Sequence, residues 1–380
     1  MIRPTVDAMQ VAALACQRHL FDLPDHVSYL DAAAWSPLPH PVRAAGEAGI
    51  LAKARPWAHS RDDDAVWAER TRAAAARLIG ATADDVAIVG SVSHGIATAA
   101  RNLPTPPGSR ILRVADEFPS LCHAWDRLAS ERGLVVEVVP RPADGDWTAA
   151  LLEALARPGA APLSVATLTP LHWSDGAVID LDRLAPAVRA AGAALVVDAT
   201  QAVGAMPVDV ARLRPDFLTF PTYKWVLGPY SLAFLYAAPH RQGGMPLEEN
   251  TGNLPPATGA RRYDKGERDD PVALPMAAAG MELVAGWGVP AVAARLRTLT
   301  DLLADGAAAL GLPVAPRGLR SPHILGLRLP GGLPAGLIGR LRADGVFASD
   351  RLGGLRLSPH VWANEADVTR CLAVLRAALA

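Results

Sequence analysis

Lysine is scarce in this chain. Lys and Arg together number 37, and only three of them are lysines: Lys53, Lys224 and Lys265. Arginine does the ordinary basic work, so a retained lysine points to something arginine cannot do, such as losing a proton and attacking a carbonyl carbon. Lys53 and Lys265 read as chance retention. Lys224 stands in PTYKWVLGPYS, just after the apolar run DFLTF at 216–220 and before a Gly228-Pro229 turn. Asp198 lies 26 residues upstream, closing the run ALVVD. An acid at a strand's end either points into a ligand crevice or caps a following helix. The pair is more specific than either member. An amine and a carboxylate at neighbouring strand ends suit pyridoxal 5′-phosphate (PLP): the amine holds the aldehyde as a Schiff base, and the acid keeps the ring nitrogen protonated.

Those two residues need a scaffold that brings strand ends together. Short apolar runs recur at 86–89, 111–114, 134–139, 163–168, 194–197, 216–220 and 232–236. Helical patterns fill most of the gaps, as at 120–131, 147–156 and 181–191, after an acid-capped helix at 62–79. Strand–helix alternation of this kind predicts an α/β fold, with a large, mostly parallel, seven-stranded sheet covered by helices. Ligands of such sheets bind beyond the carboxyl ends of the strands. The Gly-, Pro- and charge-rich stretch around 241–275 reads as a long loop and boundary. Helices near 276–286, 290–310 and 333–343, strands at 323–329 and 354–358, and a last helix from 365 make a smaller C-terminal α+β domain. The expected divisions are an N-terminal segment 1–25, a large domain 26–245, a linker 246–275 and a small domain 276–380.

The combination DATQAVGAMPVDV and YKWVLGP resembles the class V aminotransferase branch of fold-type I PLP enzymes, which includes cysteine desulfurases, kynureninase and isopenicillin N epimerase. The resemblance runs from YLDAAAWSPLP at 29–39 to LRLSPHVWANEADV at 355–368. It implies PLP as cofactor, Lys224 and Asp198 as its catalytic partners, and Gln201 near its phenolic oxygen. GSVSHGIATA at 90–99 falls where the family binds phosphate, which assigns that task to Ser93 with the backbone of Val92 and His94. A helix N-terminus with free N–H groups suits an anion. Phe118 matches the residue stacked on the ring, and Tyr223 a phosphate-contacting hydroxyl. His172 and Trp173, in LHWSDG, are expected to face the crevice toward substrate and cofactor. Arg356, in GGLRLSPH, matches the arginine that clamps a substrate α-carboxylate, a task its planar fork suits. Trp35, Arg55 and Trp57 are candidates for shaping the entrance.

The chain also departs from the family. No cysteine lies between Cys122 and Cys371, so the loop cysteine of the desulfurases is missing. Gly266-Glu267 replaces a Gly-Thr pair, and a glutamate there would repel phosphate, leaving Arg268 or a backbone N–H to take over. The expected function is therefore a PLP enzyme acting on an α-amino acid, an aminotransferase first, with a lyase (β-elimination or C–S cleavage) or an epimerase as alternatives and a non-catalytic PLP-fold protein behind them. A nucleotide-binding oxidoreductase is disfavoured, because Gly90-Ser-Val-Ser-His-Gly95 is not G-x-G-x-x-G. A net charge of −1 argues against nucleic acid. No apolar run long enough for a membrane span or a secretory leader is read, and three scattered cysteines fit neither a disulfide framework nor a zinc site. A cytoplasmic homodimer without metal is the expectation.

Overall fold

The computed structural model describes residues 14–58, 60–255, 257–329 and 331–379. The expected N-terminal segment 1–25 therefore lies partly outside the described residues. The strands are β1 (Ser28–Tyr29), β2 (Val86–Val89), β3 (Arg110–Val114), β4 (Val135–Val139), β5 (Leu163–Leu168), β6 (Ala194–Asp198), β7 (Phe217–Pro221), β8 (Ala233–Ala237), β9 (Leu325–Leu327), β10 (Val346–Phe347), β11 (Ser349–Arg351) and β12 (Gly354–Leu357). The helices are α1 (His40–Ala54), α2 (Arg61–Ile79), α3 (Val92–Asn102), α4 (Pro119–Arg132), α5 (Trp147–Ala156), α6 (Leu181–Ala190), α7 (Val210–Leu213), α8 (Ala273–Trp287), α9 (Val289–Ala309), α10 (Leu337–Ala343) and α11 (Glu365–Leu379).

The large sheet has seven strands in the order β2-β8-β7-β6-β5-β3-β4. Neighbours from β7 to β4 run parallel, and β8 pairs antiparallel with both β2 and β7. Every residue of β2, β6, β7 and β8 is buried. Continuous apolar runs are what strands covered on both faces require. The order of connection reverses between β3 and β5, and the loops leaving them diverge there, so the crevice opens at that end of the sheet.

Local chemistry sets the elements that frame this crevice. Ser91 caps α3 by accepting the His94 N–H at 3.1 Å. Gly95 lets α3 lie on the sheet: an added Cβ would come 2.6 Å from the Thr219 hydroxyl of β7. Asp116, directly before the Glu117-Phe118 turn, has a positive φ of 55°, a strained conformation of the sort found at ligand sites.

The C-terminal part holds an antiparallel sheet, β11-β12-β9, with α9, α10 and α11. Residues 28–32, expected with the large domain, bind here instead. β1 pairs with β10, the Ala32 N–H donates to Ser358 O at 3.0 Å, and the Ser358 N–H donates to Leu30 O at 2.7 Å. A two-residue strand carries no period, which is why its partner was not readable. The expected linker 246–275 is also not a free tether. It contains a 3-10 turn at Gly259–Tyr263 and a buried clasp, in which Asp264 receives the Arg72 guanidinium and the Ile88 N–H. Among the described residues no single helix is long and apolar enough to cross a membrane.

Candidate active site

A cavity of about 540 Å³ lies beyond the carboxyl ends of β3, β5, β6 and β7, within the range of roughly 300–1,000 Å³ usual for small-ligand sites. Lys224, Asp198, Gln201, Phe118, Ser93, Val92, Tyr223, Trp173, Arg356 and Trp35 all line it. Three expected side chains do not. His172 is fully buried behind the wall, stacked on Trp147 at 5.3 Å, with its ring nitrogens facing Ala115 O and the Ser174 hydroxyl. Its assignment to substrate is corrected: packing turns the imidazole into the core, where it supports Trp173 next door. Arg55 and the 83% exposed Trp57 are also absent from the lining.

Lys224 follows β7 and is only 8% exposed. Burial, with Arg356 second, lowers its pKa to about 7 against the pull of Asp198. Its Nζ lies 6.0 Å from the Phe118 ring centre and 5.4 Å from that of Tyr223. Asp198 ends β6 and accepts the Thr200 N–H at 2.8 Å. Burial raises its pKa, opposed by Thr200 and then Lys224. Gln201 is held by both ends of its amide: Oε1 accepts the Trp225 indole N–H at 2.8 Å, and Nε2 donates to Ala33 O at 3.1 Å. One Nε2 hydrogen remains for another acceptor.

At the other end, α3 points its first turn at the cavity. The Ser91 hydroxyl already takes the His94 N–H, which removes His94 from the expected anion cradle. The N–H groups of Val92 and Ser93, at the start of the helix, have no helical acceptor by its geometry. Ser91 was the cap that the sequence reading missed; a serine directly before an apolar helix was its signal. Tyr223 stacks on Tyr230 at 4.0 Å, and burial raises its pKa to about 12. Phe118 meets Trp173 edge-on at 5.4 Å, and the Trp173 indole is pinned to Asp116 O at 2.8 Å. Trp35, 59% exposed, meets Tyr230 edge-on at the mouth.

Arg356 reaches in from β12. Nη1 donates to Trp173 O at 3.0 Å, Nη2 to Asp31 at 3.3 Å, and the buried Nε has no partner. Burial lowers its pKa to about 10, against Asp31. The fork is thus braced by Asp31, two residues past β1, whose backbone bridges to Ser358 just after β12. Glu117, Thr169, Tyr230 and Arg351 also line the cavity and were not singled out from sequence.

The family profile described as Aminotransferase class-V matches residues 28–309. The chain belongs to the class V aminotransferase family. It is 29% identical over 418 aligned residues to an isopenicillin N epimerase of Amycolatopsis lactamdurans, covering 97% of this chain and 99% of that protein. It is 26% identical to an uncharacterized aminotransferase, YcbU, of Bacillus subtilis (strain 168), covering 78% of this chain and 80% of the relative. The apo structure of a cysteine desulfurase from Thermococcus onnurineus NA1 superposes with a TM-score of 0.83 at 21% identity, over 96% of this chain and 98% of that one. This class V enzyme takes pyridoxal 5′-phosphate as its cofactor. The donor set in the cavity fits that group: one buried amine, the buried Asp198 carboxylate beside a second carboxyl, Glu117, unpaired helix N–H groups and an aromatic face.

Proposed function

We propose that this class V enzyme is an aminotransferase acting on an α-amino acid. The observation that carries the reading is Lys224: one buried amine, whose pKa burial lowers to about 7, shares a cavity with Asp198 and a braced arginine. Bound there, pyridoxal phosphate supplies an aldehyde for amino groups and an electron-withdrawing ring that loosens bonds at the carbon bearing the amine. Lys224 would hold the aldehyde at rest and, once freed, its Nζ would carry a proton to or from the substrate α-carbon. Asp198 would pair with the ring nitrogen. Gln201 would offer its free Nε2 hydrogen to the phenolic oxygen, and Val92, Ser93 and Tyr223 would hold the phosphate. Phe118 and Trp173 would border the ring. Arg356 binds the substrate carboxylate, and Trp35 borders the entrance.

No cysteine lines the cavity, so a thiol that accepts sulfur has no place in this reading. Epimerisation is a second reading, favoured by similarity to an isopenicillin N epimerase over nearly the whole chain. It needs a second proton carrier on the opposite face, for which the other titratable groups lining the cavity include Glu117, Tyr223 and Tyr230. The test is product analysis of purified holoenzyme with a panel of α-amino acids, with and without a keto-acid acceptor. Stoichiometric keto acid and new amino acid support transamination. Ammonia or thiol release indicates a lyase, and loss of optical purity without keto acid indicates an epimerase.

We also place the enzyme in the cytoplasm, where its three unpaired cysteines stay reduced, and propose a homodimer. Support for the dimer is apolar surface near the mouth and along α1: Ile50, Leu51 and Tyr230 are each more than half exposed. Light scattering across a dilution series is expected to give twice the chain mass; a fully active monomer would contradict it.

A further inference from the structure

A second carboxyl group reaches the cavity. Glu117 lies just past β3, 8% exposed, and its Oε1 accepts the Phe118 N–H at 2.8 Å. Its Oε2 lies 3.3 Å from the Thr169 hydroxyl, which follows β5. The same hydroxyl lies 2.9 Å from Leu171 O. Thr169 has one proton, and a main-chain carbonyl has none to give. The shorter contact therefore takes the Thr169 proton, and the Glu117 contact closes only if Oε2 supplies a proton of its own. A charged Glu117 would set lone pair against lone pair in a dry site.

The surroundings agree. Asp198 of β6 faces Glu117 and disfavours a second negative charge, while Arg113 of β3 favours one. The Cys122 thiol of α4 sits 3.9 Å from Glu117 O, and Lys224 lines the same cavity. Burial outweighs the Phe118 hydrogen bond and pushes the Glu117 carboxyl up to about 8.

We propose that Glu117 is a positioning residue held as a neutral carboxylic acid: it donates to the Thr169 hydroxyl, accepts from Phe118, and leaves Asp198 as the one ionised carboxylate beneath the cofactor ring. This rests on the Asp198 role proposed above. The neutral acid ties the Phe118 main chain to Thr169 at the end of β5, which fixes the aromatic residue against the sheet. Ionisation breaks the Thr169 bond and adds a repelling charge beside Asp198. Because the carboxyl is raised, the link is intact below its pKa and is lost as the pH rises through about 8.

Glutamine reproduces the neutral acid: its oxygen accepts from Phe118 and its amide donates to Thr169. Infrared difference spectra of the holoenzyme between neutral and alkaline pH are expected to show the loss of a carboxylic-acid C=O stretch in the wild type, absent in Glu117→Gln. Cofactor titrations are expected to weaken over the same pH window in the wild type and stay flat in Glu117→Gln. Glu117→Ala should bind about tenfold more weakly at every pH, the effect of a buried partner left unpaired. Absence of the band, or a Glu117→Gln variant as weak as Glu117→Ala, overturns the proposal. Asp198→Asn run in parallel separates the two readings: unchanged cofactor affinity and spectrum there overturn the Asp198 role, whatever the state of the Glu117 band.

Discussion

Lys224 and Asp198 ask opposite things of one dry cavity. Burial favours the neutral amine, which is the form that attacks an aldehyde, and lowers its pKa to about 7. The same burial disfavours the Asp198 carboxylate; a protonated ring nitrogen placed against it restores the charge. The sign for Lys224 follows: the reactive fraction is small below its pKa and complete above it. The rate of cofactor attachment to apoprotein is therefore expected to rise with pH up to about 7 and level off, as stopped-flow absorbance can follow, whereas an ordinary lysine with pKa 10.5 would keep the rate rising. Arg356 is tested by truncation. Its brace to Trp173 and Asp31 fixes the guanidinium, and a charge-assisted bond to a carboxylate contributes about 1.5–3 kcal/mol. Arg356→Ala is expected to lower kcat/KM for an α-amino acid by roughly tenfold to a few hundredfold, with cofactor content unchanged. Loss of cofactor with KM preserved would make Arg356 a structural residue.

At the scale of elements, the site depends on segments clipped together from far apart in the chain. Asp264 and Arg72 are both fully buried and lie 192 positions apart. Removing Asp264 leaves Arg72 with Glu69 and Val86 O as its remaining partners, so Asp264→Ala is expected to cost about 2–4 kcal/mol in a urea melt. A cost below about 1 kcal/mol would mean the clasp is replaceable by water. Sequence could not disclose this clasp: Asp264 sits among Gly, Pro and charged residues that read as loop, and its partner is in a distant helix. The seven strands were legible for the opposite reason, since apolar runs such as VAIV at 86–89 stay buried on both faces. Ten expected residues do line one cavity. His172 does not, because strand-end position fixes a Cα and not the direction of a side chain packed on Trp147. Glu117 escaped notice because burial of a carboxyl is a tertiary fact; beside Asp116 it looks like ordinary acid before a helix.

For the whole molecule, the cavity lies where large sheet, C-terminal sheet and N-terminal strand meet. β6 and the segment after β7 present Asp198 and Lys224, β12 presents Arg356, and Asp31, just past β1, braces it. Membership of the class V aminotransferase family accounts for this assembly and for the cofactor, and the proposed role of Lys224 is the claim that remains to be tested. The most direct test of that account is borohydride reduction of the holoenzyme followed by peptide mapping. The pyridoxyl group is expected on Lys224 alone, and Lys224→Ala should abolish the label. A label on Lys53 or Lys265, or one that survives in the Lys224→Ala protein at wild-type yield, would contradict it.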